Sequence, residues 1–162
     1  VRTDAWRFHD LGRRVERAAA TVRATRLFGM PGANIDDLST LLDLANSQIS
    51  YRQRYLTGIA RVPVIDLVAL DPGNPRAIAY QTARISERLG ELPVLGDDGM
   101  AEPQQAGATA LNAILTTATA ATLDAETLGD VERRLIQVSD ALGHRYFLHG
   151  AEPLRSHGLT LA

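Results

Sequence analysis

The sequence predicts an all-α fold, an antiparallel bundle of about five to six helices in a single domain over residues 1–162. Three observations predict it. First, Ala and Leu, both strong helix formers, together make 46 of the 162 residues (24 Ala and 22 Leu). Second, no stretch alternates apolar and polar residues over the length a strand needs. Third, apolar residues recur at helical spacing between clear start and stop signals.

The first helix is expected from Asp4 to Leu27, capped by Thr3 or Asp4. Phe8, Leu11, Val15, Ala18, Ala19 and Val22 share one face. Pro31 and the glycines of 29–32 break it. A second helix is expected from Ile35 to Tyr55, capped by Asn34, with Asp36 and Asp37 complementing the dipole. Its stripe is Leu38, Leu42, Ala45, Ile49 and Leu56. A short third helix starts near Pro63 and ends near Leu70, before the turn Asp71-Pro72-Gly73. Asn74-Pro75 starts a fourth, to Leu89, with Ile78, Thr82, Ile85 and Leu89 facing inward. Residues 90–102 read as the longest loop. A fifth helix, Pro103 to Thr122, has few bulky side chains and should approach its neighbours closely. Asp124 caps a sixth, to Leu148, whose Leu128, Val131, Leu135, Val138 and Leu142 repeat at bundle spacing. The tail after Gly150 is polar and is expected to fray.

Composition excludes several classes of chemistry. The chain is 45% hydrophobic and 22% charged, enough for one domain that buries about 70% of its unfolded surface. A net charge of −2 supplies no global basic field, so neither nucleic acid nor a membrane is expected as partner. No apolar run reaches the ~18 residues of a membrane span, and a cytoplasmic location is expected. There is no cysteine, hence no disulfide, thiol nucleophile or zinc–thiolate site. All 17 basic residues are arginine, so a Schiff-base or P-loop lysine is excluded. Any anion site must be built from guanidinium, which pairs bidentately with carboxylate or phosphate.

Several residues are candidates for chemistry. Opposite the first helix's apolar stripe lie Trp6, Asp10, Arg13 and Arg17, with Glu16 on the flank. That face is either solvated or meets another element through paired charges, with Arg13 and Arg14 in reach of Asp10. Arg52 falls at the end of the second helix's stripe, where it needs a carboxylate, a carbonyl or water. Glu16 is its candidate partner. Tyr51, Arg52, Arg54 and Tyr55 are either a polar clamp between helices or the lining of an anion pocket. Asn74 and Arg76 open a helix, which is capping chemistry or an anion site. His144 and Arg145 near the last helix's end complement its dipole. His144 and His149 are spaced poorly for sharing a metal, so no metal and no cofactor are expected. Serines are present without a G-x-S-x-G elbow or a Ser-His-acid set.

The blocks Trp6-Arg7-Phe8, Leu11 to Ala18, Ser50 to Leu56, Pro63 to Val68, Asp71, Asn74-Pro75-Arg76, Ser139 to Leu142 and His144 to Phe147 stand in a fixed order. As a set they resemble the bacterial alpha-E domain, a family named for an all-α fold with a Glu-Arg motif, matched here by Glu16-Arg17. The family domain is longer, with an earlier half carrying its own Gly-Arg and Glu-Arg helix, so the chain resembles its C-terminal part. An apolar face left by that half would favour self-association. The resemblance implies a partner: alpha-E proteins are fused to, or encoded beside, circularly permuted ATP-grasp proteins, often with a transglutaminase-like protein nearby. ATP-grasp enzymes join carboxylates to amines through acylphosphates. The expectation is therefore a non-catalytic helical accessory of a peptide-ligase system, binding a protein partner or an acidic substrate through its arginines. The alternatives are a helical-bundle enzyme or ligand-binding domain with Glu16 as acid/base and a Glu/Arg/Tyr anion pocket, and a purely structural piece with no ligand.

Overall fold

The computed structural model of the chain describes residues 3–93 and 102–144. It contains α1 (Asp4–Phe28), α2 (Ile35–Leu44), α3 (Gln48–Arg54), α4 (Arg61–Ile65), a π-helical segment (Asp66–Leu70), α5 (Ile78–Gly90), α6 (Pro103–Thr117) and α7 (Ala125–Gly143). The all-α class holds among the described residues. Four long helices form a ring in which α1 meets α5 and α7, and α6 meets the same two. The pairs that join them fix their directions. Along α1 and α5, Arg7 meets Glu91, Asp10 meets Arg88 and Arg14 meets Gln81, so the two helices are antiparallel. The short elements between α1 and α5 pack at the side, where α2 and the π segment touch α1.

The core follows from the stripes. Leu11, Ala18 and Val22 of α1, Ile78, Ile85 and Leu89 of α5, Leu111 and Leu115 of α6, and the α7 series Leu128, Val131, Leu135, Val138 and Leu142 are all buried. Each such aliphatic side chain contributes about 1.5–3 kcal/mol of transfer free energy. Two glycines mark close approaches. A Cβ on Gly29 would lie 2.7 Å from Ile65 Cδ1 and 2.9 Å from Leu41 Cδ2, and one on Gly107 would lie 2.9 Å from Val138 Cγ2. The second contact brings the small-residue helix α6 close against α7, the approach its composition predicts.

Local signals worked where they were strong. Thr3 caps α1, accepting from Trp6 N–H. Asn34 and Asp37 form a reciprocal capping box on α2. Asp124 caps α7 through Thr127 N–H at 2.8 Å. The fifth helix stops at Thr117, five residues earlier than expected.

The expected single helix over 35–55 is two helices. Asn46 adopts the left-handed region, with φ +48°. Ser47 N–H donates to the Leu42 carbonyl and Asn46 N–H to that of Asp43, the 6→1 and 5→2 pair of a Schellman ending. Helix α3 then restarts on a new axis, and the stripe is lost beyond Ala45. Ile49 is 71% exposed and Leu56 94%, instead of facing the core. The third helix begins at Arg61, and its second half widens into the π segment. The fourth begins at Ile78, because Asn74 is not its cap. Residues 94–101, most of the expected loop, and everything after His144 lie outside the described residues.

Candidate functional site

The arginines sort into two groups according to what their guanidinium groups touch. On the inward side, Asp10 accepts from Arg14 Nε at 2.8 Å and from Arg88 Nε at 3.0 Å. Arg14 also donates to Gln81 Oε1, whose amide nitrogen donates to the Pro75 carbonyl. Arg88 reaches Glu91 at 2.9 Å and stacks its guanidinium 5.3 Å from the Trp6 ring centre. Burial raises the Asp10 pKa, but the hydrogen bonds and charges of Arg14 and Arg88 outweigh it, and its carboxyl sits below the ordinary 3.8. The face is thus divided: Trp6 and Asp10 meet α5 through Arg88, with Arg14 rather than Arg13 as the local partner of Asp10, whereas Arg13 and Arg17 are solvated.

A second fully used cation is Arg61. It donates to the Gly29 carbonyl at 2.8 Å, to that of Ala120 at 3.3 Å and to that of Leu123 at 2.9 Å. One side chain thus ties the end of α1 to the α6–α7 connection. Carbonyl acceptors leave no mark in a sequence, and nothing in the pattern around Arg61 distinguishes it.

The aromatic and asparagine candidates are hooks. The Tyr51 hydroxyl donates to the Gly58 carbonyl at 3.0 Å and accepts from Ala60 N–H at 3.2 Å, closing the 55–60 connection over a buried ring. The Tyr55 hydroxyl donates to Asp66 at 3.3 Å, and its ring lies 4.9 Å from that of Tyr51. Burial and the Asp66 carboxylate push the Tyr55 hydroxyl above its ordinary value. Arg54 pairs with Asp71. Asn74 is buried and donates to the Leu67 carbonyl at 2.9 Å and to Ser47 Oγ at 3.3 Å, while its oxygen accepts from Arg76 N–H. Tyr51, Tyr55, Arg54 and Asn74 thus form the clamp, knitting α3 to the π segment and the turn after it.

The remaining candidates face solvent. Glu16, Arg13, Arg17, Arg52 and Arg76 are exposed. No ion pair joins Glu16 to Arg52, and among the described residues none of Arg13, Arg17, Arg52 or Arg76 is in a salt bridge. Arg17 and Arg76 meet across a groove of about 450 Å³ between α1, the end of α2 and the start of α5. Arg52 lines a separate recess of about 300 Å³ with Tyr51, Tyr55 and Leu56. Glu16 lines neither. His144 is the C-terminal cap residue of α7, and Arg145 lies outside the described residues. No group of three or more His, Asp or Glu side chains able to hold a metal occurs among the described residues. No helix among them is long and apolar enough to cross a membrane.

The sequence model of one family, Alpha-E, described as a predicted alpha-helical domain with a conserved ER motif, matches residues 1–147. The chain belongs to the Alpha-E family. Alpha-E chains are thereby helical in description, and this one is helical in structure. It is also similar to uncharacterised proteins of Mycobacterium bovis and of two Mycobacterium tuberculosis strains, each 30% identical over 104 residues. Those matches cover 62% of this chain and 12% of each relative, so the chain spans a small part of their length. No solved structure matches. This Alpha-E chain has three Glu-Arg pairs with three different environments. Glu16-Arg17 faces solvent. In Glu87-Arg88 the arginine is buried on Asp10. Glu132 of Glu132-Arg133 sits between Arg23 and Arg26 of α1, at 3.6 and 3.7 Å.

Proposed function

We propose that this Alpha-E domain is a cytoplasmic, non-catalytic accessory that docks a circularly permuted ATP-grasp protein of a peptide-ligase system. One observation carries the reading. Beyond the Schellman ending at Asn46, Ile49 and Arg52 of α3 and Leu56 just after it are exposed, two large aliphatic side chains flanking in sequence an arginine that makes no salt bridge among the described residues. Arginine is enriched at protein interfaces, whose buried centres are more apolar than the rest of the surface. The clamp beneath supports the same reading, because Tyr51, Tyr55 and Arg54 hold α3 in place and leave its outer surface free.

The residues named for acid/base work do not assemble. Glu16 and Arg52 share no recess among the described residues, so the arrangement favours binding over turnover. The test is binding of the purified protein to its ATP-grasp neighbour by calorimetry, with Leu56→Glu and Arg52→Glu beside the parent. Both substitutions sit on the surface and should leave the thermal midpoint unchanged. Affinity should fall at least about tenfold in each. Equal affinity in all three proteins, or turnover of a substrate by the domain alone, would sink the reading.

A further inference from the structure

The groove between α1 and α5 holds two guanidinium groups whose charges nothing in the structure uses. Arg17 comes from α1 and Arg76 from the turn before α5. Both are exposed, and neither forms an ion pair among the described residues. No acidic side chain lines the groove. Two of its other polar side chains are already committed, and the third, Asn46, brings a neutral amide. Gln81 gives its oxygen to Arg14 and its nitrogen to the Pro75 carbonyl. The Thr21 hydroxyl donates to the Arg17 carbonyl. At the end of α2 the Leu41, Asp43 and Leu42 carbonyls accept from the N–H groups of Ala45, Asn46 and Ser47, and the Ala45 carbonyl accepts from the Ser47 hydroxyl. Helix α5, 13 residues long, starts here with no side-chain cap, which adds the positive end of its dipole. The charged side chains that line the groove are therefore two cations with no acidic side chain beside them.

We propose that this groove is a binding site for a small dianionic oxyanion group, a phosphate monoester or a dicarboxylate, held between Arg17 and Arg76. Two fork-shaped donors from different elements suit a group with several oxygens and a charge near −2, since each guanidinium can take two of them. The space of about 450 Å³ admits a metabolite-sized molecule rather than a polymer strand. The Asp10–Arg14–Gln81–Pro75 chain behind the groove fixes the Gln81 side of its wall. The inference is independent of the α3 docking reading, because the two surfaces share no residue.

Inorganic phosphate and succinate, titrated calorimetrically at constant ionic strength against sodium chloride, are the probes. Phosphate binding should be saturable, weaken about tenfold or more in Arg17→Ala and in Arg76→Ala, and persist in Arg52→Ala. Arg17→Lys should lie between parent and alanine, because it keeps the charge and loses the fork. Succinate binding as tightly as phosphate would make the site a reader of any dianion, whereas preference for phosphate would make it phosphoryl-selective. Phosphate heats no larger than those of chloride would overturn the proposal. So would binding that survives the Arg17→Ala/Arg76→Ala double substitution.

Discussion

Arg14 and Arg17 are three residues apart on one helix and have opposite environments. Arg14 turns inward, bonds Asp10 and Gln81, and joins a network that includes buried Arg88. Arg17 turns to solvent and lines a groove with Arg76. The difference is one of neighbours. A guanidinium drawn out of water must be matched by a carboxylate or by carbonyls, and once matched it holds those groups in place. A guanidinium left in water retains its charge for something outside the chain. In a protein whose basic residues are all arginine, this distinction separates the cations that build the fold from those available to a ligand.

The comparison can be broken first at Arg61. Arg61→Ala removes the donors of three carbonyls at the junction of α1 with the α6–α7 connection. Chemical denaturation should show a loss of about 3 kcal/mol, since hydrogen bonds from a charged donor are each worth about 1.5–3 kcal/mol and the carbonyls regain water only in part. A loss under about 0.5 kcal/mol would place Arg61 with the surface arginines.

A smaller effect is expected at Tyr51. Tyr51→Phe keeps the buried ring and deletes only the hydroxyl shared by Gly58 and Ala60. The cost should be about 1–2 kcal/mol. Hydrogen exchange should accelerate at the Ala60 amide before it does in α1. Unchanged exchange there would mean that the hook does not fix the 55–60 connection.

The smallest effect is a slope. Asp10 has a folded pKa below its ordinary value, so folding favours its ionised form. Its contribution is present above the unfolded value near 3.8 and is lost as pH falls through the lower folded one. The helix cap Asp124 and the Arg134 partner Asp130 shift in the same direction. Stability should therefore decline on acidification below about pH 4, and Asp10→Asn should flatten that limb. An identical acid limb in Asp10→Asn would show that Asp10 gains nothing from its two arginines.

How much of this was legible in the sequence follows the range of each interaction. The α1 boundaries, the Asn34 and Asp124 caps and the α7 stripe were readable because each depends on residues within a turn of one another. The break at Asn46 depends on one residue adopting the left-handed region, and asparagine signals that less strongly than glycine, so the apolar run across it read as continuous. A continuous helix places Ile49, Arg52 and Leu56 in line with the core stripe and Arg52 in reach of Glu16, whereas the break leaves all three exposed. The clamp is legible only in part: of Tyr51, Arg52, Arg54 and Tyr55 all but Arg52 belong to it, Asn74 reads as a helix cap or anion site instead, and the partners Gly58, Asp71, Asp66 and Leu67 are set by tertiary geometry. The groove is the farthest from the sequence, since Arg17 and Arg76 are 59 positions apart (76 minus 17) and only the packing of α1 on α5 brings them together.

The most direct measurement is the unfolding free energy of Arg88→Ala beside Arg17→Ala at neutral pH. The buried Arg88 leaves Asp10 and Glu91 short of a partner when removed, and the expected loss is about 3 kcal/mol. Arg17→Ala should stay within about 0.5 kcal/mol of the parent. Equal losses in the two proteins would contradict the division between arginines that hold the fold and arginines that serve it.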